Sequence, residues 1–251
     1  MQKTKIILIK NLLFPVAGLA VFFTVWAIAA AALGVPLFLP GPWTTFIAAL
    51  KLLSTGDFWM RMGFSFGVSV ASFAVSFVLA LALSLLSILF GLKSAFSPLL
   101  TIIRSVPIAA VMTLIWFWTG ARITPMIVGA LIVLPVLYAS FFVTLSSADR
   151  DLLGTARVFG CGRAGLVRFV YLPLLRHSLI ESSASGLSLT LKVVISAEIV
   201  VSTVNSMGGL IDARSSPDAT GHLAATLLVA FFCILIEFLV RLPLRLIDSR
   251  E

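Results

Sequence analysis

Several groups of residues have types and spacings that could do chemistry. Gly63-Phe64-Ser65-Phe66-Gly67 matches Gly-x-Ser-x-Gly, the pattern of a nucleophile elbow. That chemistry requires a strained strand-to-helix turn with a base beside the serine. Here the pattern opens a long apolar run, so Gly63, Ser65, Gly67 and Ser69 read as small residues that let membrane helices approach closely. Gly91-Leu92-Lys93-Ser94 comes nearest to a phosphate-cradling loop, but it lacks the upstream glycine and the glycine next to the lysine. If ATP drives this protein, a partner must bind it. His177 and His222 each sit at the end of an apolar run, and no His, Cys or carboxylate group has metal-ligand spacing. No metal or cofactor is expected on the chain itself.

Charges inside apolar runs are costly and therefore point to function. Glu181, Lys192, Glu198 and Glu237 are of this kind. Lys192 and Glu198 are about 240° apart on a helix and do not face each other, while Glu181 and Lys192 share a face about 16 Å apart. Each is expected to meet another helix, a cavity water, a second subunit or the pathway of a transporter. Glu198 is followed by Ser202, Thr203, Asn205 and Ser206, and Gly208-Gly209 then predicts a permissive turn. Arg104-Ser105-Val106-Pro107 joins a charge to a helix breaker, either as a Pro-defined entry with Arg104 reaching lipid headgroups or as an inner-gate contact.

A different kind of site lies between residues 147 and 176. Gly154-Thr155-Ala156, Gly160 and Val170-Tyr171-Leu172-Pro173 are interspersed with Arg157, Arg163 and Arg168. A polar, basic segment between two apolar runs belongs in water on the cytoplasmic side. Its small residues, mid-segment glycine and terminal Leu-Pro predict two short helices bent at Gly160, with a surface that another protein could grip.

The elements that must hold these residues are membrane helices. Of 251 residues 60% are hydrophobic and only 11% charged, against roughly 25% charged in a soluble domain. A bilayer core of about 30 Å needs roughly 20 apolar helical residues. Six segments qualify, at about 12–33, 64–90, 98–118, 126–146, 178–203 and 219–242, the third interrupted by Arg104 and Pro107. The fold class is an all-α integral membrane domain spanning the whole chain. The run after Lys3, Lys5 and Lys10 is too long for a signal-peptide core and reads as a retained anchor. The net charge of +8 could suggest nucleic acid, but the basic residues cluster in loops between spans. Lys3, Lys5, Lys10, Lys93, Arg150, Arg157, Arg163, Arg168, Arg176, Arg241, Arg245 and Arg250 fall on one side; only Lys51, Arg61, Arg122 and Arg214 fall on the other. The bias puts both termini in the cytoplasm. Trp43 to Leu53 predicts a short interfacial helix, and Cys161 and Cys233 predict inert thiols rather than a disulfide.

The 154–173 segment resembles the EAA loop of ATP-binding-cassette importer permeases: Glu-Ala-Ala, three residues, Gly, nine residues, then Ile-x-Leu-Pro. The spacing is kept, with Gly154 and Thr155 standing where the pattern has Glu and Ala. Leu39-Pro40-Gly41-Pro42-Trp43, Arg104-Ser105-Val106-Pro107, Lys192 to Glu198 and Gly208-Gly209-Leu210-Ile211 resemble elements of the nitrate/sulfonate/taurine subfamily. The resemblance covers about residues 39–245. It implies a permease of the bacterial inner membrane that pairs with a second, identical permease and docks on a cytoplasmic ATPase dimer carrying ATP and magnesium. An extracytoplasmic binding protein would deliver a small polar solute such as a sulfonate, taurine, nitrate or a vitamin precursor. Gly154, Thr155, Ala156, Arg157, Gly160, Arg163, Leu172 and Pro173 become the coupling residues, and Arg104, Pro107, Lys192 and Glu198 the pathway or gate candidates. The runner-up is an ion-coupled secondary transporter using Glu198 and Lys192. A hydrolase built on Ser65 and a scaffold without flux are the other readings.

Overall fold

The structure, a computed structural model, describes residues 2–212, 214 and 218–248, with the side chains of 2–13, Arg150, Arg157, His177 and 243–248 outside the described set. Every regular element among the described residues is a helix. Five are long and apolar enough to cross a membrane: Phe14–Leu33, Gly56–Phe90, Ile108–Ser146, Ser178–Val200 and Ala219–Leu242.

The difference from the six expected spans lies in the third and fourth. Residues 98–118 are divided between α4 (Lys93–Ser105) and the first part of α5 (Ile108–Ser146), with extended Val106 and Pro107 between them. Pro107 breaks the ladder there because it has no N–H and disfavours helical geometry at Val106. A straight helix as long as α5 would measure about 58 Å, nearly twice the bilayer core. Instead α5 is broken at Gly120, whose φ of 74° and ψ of 169° are not helical. The chain reverses at this point. Lys93 lies over the ring of Phe142, 5.0 Å from its centroid, and Met112 and Ile115 share a buried cluster with Val128. The expected third and fourth spans are thus the two sides of one hairpin, α4 with residues 108–119 against residues 121–146.

The chain divides into two compact units, Met1–Phe58 with Ile211–Leu228, and Trp59–Leu210 with Val229–Glu251. In the first, α1 (Gln2–Leu33) leads to α2 (Pro42–Leu53), and Trp26 Nε1 donates to Pro40 O at 3.0 Å. Pro42 suits the first turn of α2, where its missing N–H costs nothing. Trp43, Phe46 and Leu50 are exposed on α2, as an interfacial helix requires.

The second unit holds most of α3 (Gly56–Phe90), the α4–α5 hairpin, α8 (Leu172–Val200) and the short segments joining them. Its core contains Val133, Leu137, Phe141 and Leu145 of α5, Leu175 of α8, and Leu166, Val170 and Tyr171 from the connection between α5 and α8. Lipid is as apolar as these side chains, so close approach and interhelical hydrogen bonds hold the helices together. Ser65, Ser69, Ser72 and Ser76 are all fully buried and form one face of α3. Ser72 Oγ donates to Met126 O and Ser76 Oγ to Ala130 O, both at 2.9 Å. A Cβ on Gly129 would lie 2.5 Å from Ser72 Oγ and 2.8 Å from Val194, so Gly129 brings α3, α5 and α8 together. Ser140–Ser182 (2.7 Å) and Thr144–Ser178 (2.9 Å) tie the C-terminal half of α5 to the N-terminal half of α8.

Candidate functional site

The segment between α5 and α8 is built as two helical pieces around a glycine bend. α6 covers Arg150–Val158 and α7 covers Arg163–Leu166. Gly160 has φ of +74°, and the Cys161 N–H donates back to Ala156 O at 2.9 Å. This is a Schellman-type stop, which favours glycine because an L side chain is strained at positive φ. α7 runs into a π-helical turn, Val167–Tyr171, where the Leu172 N–H bonds Val167 O five residues back. Pro173 supplies the cause, since its ring clashes with the carbonyl four residues earlier and it has no N–H to offer.

This segment has two faces. Leu166, Val170 and Tyr171 are buried in the core beside Phe141, Leu145 and Leu175. Arg163 lies over the ring of Phe90 at the end of α3, 4.7 Å from its centroid. A Cβ on Gly165 would lie 2.5 Å from Cys161 Sγ. The outward face carries Val158 at 86% exposure, Phe159 at 84% and Phe169 at 69%. Val158 and Phe159 thus put two adjacent apolar side chains in the open beside the Gly160 bend. Gly154, Thr155, Leu172 and Pro173 are exposed, and Ala156 is half-buried. Arg157 falls within α6, but its side chain lies outside the described residues. The apolar tip is what sequence reasoning missed; Val158-Phe159 immediately before Gly160 was its signal.

Glu198 occupies a different place, at the C-terminal end of α8. It is fully buried. Ser65 Oγ of α3 lies 2.7 Å from Glu198 Oε2 and 2.9 Å from Oε1, and the Gly208 N–H donates to Oε2 at 3.0 Å. The Met207 N–H in turn donates to Ser65 Oγ at 2.9 Å. One carboxyl therefore ties α3, α8 and the start of α9 (Met207–Ile211). Ser65 lies inside a helix, not on a strand-to-helix turn, and its hydroxyl is committed to this node. The small-residue reading of residues 63–69 needs one correction. A Cβ on Gly63 or Gly67 would meet nothing within 4 Å, so the buried serines make the close contacts.

Gly208-Gly209 is likewise not the turn that the sequence predicts. A Cβ on Gly208 would collide with Glu198 Cβ and lie 2.7 Å from Ile199 N; one on Gly209 would collide with Thr203 O. These glycines permit backbone contact, and the left-handed positions of the loop are Ser202 (φ 52°) and Asn205 (φ 57°). Thr203 Oγ1 donates to Ala121 O at 2.9 Å, fastening this loop to the hairpin turn. Together Ala121, Arg122 and Ser202 to Asn205, with Met60 and Phe64, line a cavity of about 510 Å³.

Lys192 is not brought to Glu198. It is exposed on α8, on one face with Glu181, Ser185 and Ser196. Arg104 is exposed at the end of α4, just before Pro107, and lines a groove against α5. Among the described residues there is no group of three or more metal-binding side chains.

A helical membrane domain with a bent, partly buried connecting segment and a polar stripe along one span has the build of a transporter's membrane subunit. The chain belongs to the family of binding-protein-dependent transport system inner membrane components, whose model matches residues 91–250. It is 32% identical over 122 residues to the riboflavin transport system permease protein RibX of Chloroflexus aurantiacus, a match covering 48% of this chain and 45% of that protein. The match thus spans about half the length of that curated relative. The fold is shared with a bacterial ABC transporter involved in import of the acidic polysaccharide alginate (TM-score 0.63, 15% identity, 96% of this chain and 97% of that one). It is shared equally with the bacterial alginate ABC transporter in complex with an alginate pentasaccharide-bound periplasmic protein (TM-score 0.64, 15% identity, 93% and 92% covered).

Proposed function

We propose that this chain is the permease subunit of an ATP-binding-cassette importer and that α6, Gly160 and α7 dock it on a cytoplasmic ATPase. The observation that carries this reading is the two-faced segment: Leu166, Val170 and Tyr171 anchor it while Val158 and Phe159 project from it. A segment seated this way passes a push from below into α8, whereas a flexible loop would absorb it. ATP and magnesium sit on the partner, and the chain hydrolyses nothing itself. Basic residues on the same side as this segment put it, and both termini, in the cytoplasm.

A second copy of the permease completes the pathway. Glu181, Ser185, Lys192 and Ser196 are exposed along a helix that crosses the membrane, and polar groups at that depth belong against water or protein. Two such faces opposed across a symmetry axis would form an aqueous route. An extracytoplasmic binding protein delivers the solute at the outer end, where the Arg122 and Asn205 cavity opens. The motifs of the nitrate/sulfonate/taurine subfamily favour a small polar solute such as a sulfonate, taurine, nitrate or a vitamin precursor. RibX is named for riboflavin transport, which is compatible with the last of these.

Purification of the tagged chain in mild detergent from its native host, with mass spectrometry of bound proteins, tests the reading. A cytoplasmic ATPase should be recovered with the wild type and lost with Gly160→Asp, while the variant stays in the membrane. Recovery of the ATPase by that variant at wild-type level would overturn the docking role.

A further inference from the structure

The polar face of α8 carries two opposite charges at different depths. Lys192 lies about 21 Å from Ser178 and about 12 Å from Val200, the two ends of the span. Glu181 lies about 4.5 Å from the Ser178 end, within reach of the interface. Lys192 is not so placed. A long side chain on a helix leans toward the N-terminus, and from Lys192 that direction leads to the middle of the bilayer, away from the nearer interface.

No carboxylate among the described residues forms an ion pair with Lys192. Glu198 is committed to Ser65 and the Gly208 N–H. On α10 (Ala219–Asp248), Cys233 lies within electrostatic range of both Lys192 and Glu237, but Glu237 is bound to Arg241 at 2.7 Å. A second permease does not supply the counter-charge either. Two copies related by an axis along the membrane normal set each residue opposite itself at the same depth. Lys192 then faces Lys192, and either copy's Glu181 stays about 16 Å away along the helix. Two like cations along a route walled by protein of low dielectric focus their field into it. Lysine and arginine rings select anions in pores by the same means.

We propose that the Lys192 side chains of two permease copies form a charge filter deep in the translocation pathway, drawing in solutes that carry a negative group and holding back cations. This role rests on the paired-permease reading given under Proposed function. It places a selection by charge inside the membrane subunit, separate from any selection made by the binding protein.

The test needs no identified solute. Ser185 and Ser196 are exposed on the same face, on either side of Lys192 along the helix. Each is replaced by cysteine in the assembled transporter in liposomes, with the chain carrying only its native Cys161 and Cys233 as the blank. Two thiol reagents of similar size are compared, anionic methanethiosulfonate ethylsulfonate and cationic methanethiosulfonate ethyltrimethylammonium. Each labelling rate is divided by that reagent's rate with free mercaptoethanol. The anionic reagent should be favoured, and Lys192→Gln should lower the anion-to-cation ratio roughly tenfold. Lys192→Arg should keep the ratio, and Lys192→Glu should turn the preference toward the cation. A ratio unchanged by Lys192→Gln, with both reagents still entering, would overturn the filter and leave the pathway standing. So would a preference for the cationic reagent with Lys192 in place, a result that needs no Lys192 variant to fold. Failure of both charged reagents at both positions, with ATP present or absent, would put this face out of water and overturn the paired-permease pathway together with the filter.

Discussion

Replacing Ser65 with alanine removes one oxygen and disturbs two partners. Ser65 Oγ contacts both carboxyl oxygens of Glu198 and accepts from the Met207 N–H. After Ser65→Ala, Glu198 keeps its bond from Gly208, while the Met207 N–H loses its acceptor. Interhelical hydrogen bonds in membranes average about 0.6 kcal/mol and reach about 1.7 kcal/mol, and a buried polar group left unpaired costs about 1–3 kcal/mol. The node is fully buried, so the upper part of the first range applies, and the variant should lose about 2 kcal/mol. Equilibrium unfolding of the purified chain in mixed detergent micelles measures this. A double-mutant cycle with Glu198→Gln should show coupling of at least about 1 kcal/mol, whereas Ser65→Ala with the distant Ser140→Ala should be additive. A loss below about 0.5 kcal/mol, the ordinary range for a surface change, would refute the node as a clamp between α3 and α8.

Gly208→Ala should be worse than Ser65→Ala, because its Cβ would lie 2.7 Å from Ile199 N and 2.8 Å from Glu198 C; backbone cannot step aside, and a loss above about 3 kcal/mol or failure to accumulate in membranes is expected. Gly160→Ala should cost about 1 kcal/mol through its positive φ and lower ATPase recovery only in part, as pull-down would register. Phe159→Ala should leave unfolding unchanged, since the side chain is almost fully exposed, yet reduce ATPase recovery at least tenfold if the apolar tip is the contact. Lys192→Gln should leave stability within about 0.5 kcal/mol, because the residue is exposed on α8, and alter uptake into vesicles containing the assembled transporter.

What the sequence determined by itself was mainly local and periodic. Apolar runs of spanning length, the interfacial helix at Trp43 to Leu53 and the bend at Gly160 follow from transfer energies and backbone sterics that need no partner element. The tertiary structure decided where the hydroxyls go. Ser65, Ser69, Ser72 and Ser76 look alike in the sequence, but the packing of α5 and α8 gives Ser65 to Glu198 and Ser72 and Ser76 to carbonyls of α5. It also decided that Gly63 and Gly67 meet open space while Gly129 and Gly208 sit in contact. A glycine's type records that it has no side chain, and only the neighbouring backbone says whether one would have fitted. The hairpin at Gly120 had the same character: an apolar run is equally compatible with one span or two, and the reversal is set by the contacts of α4 with the far end of α5.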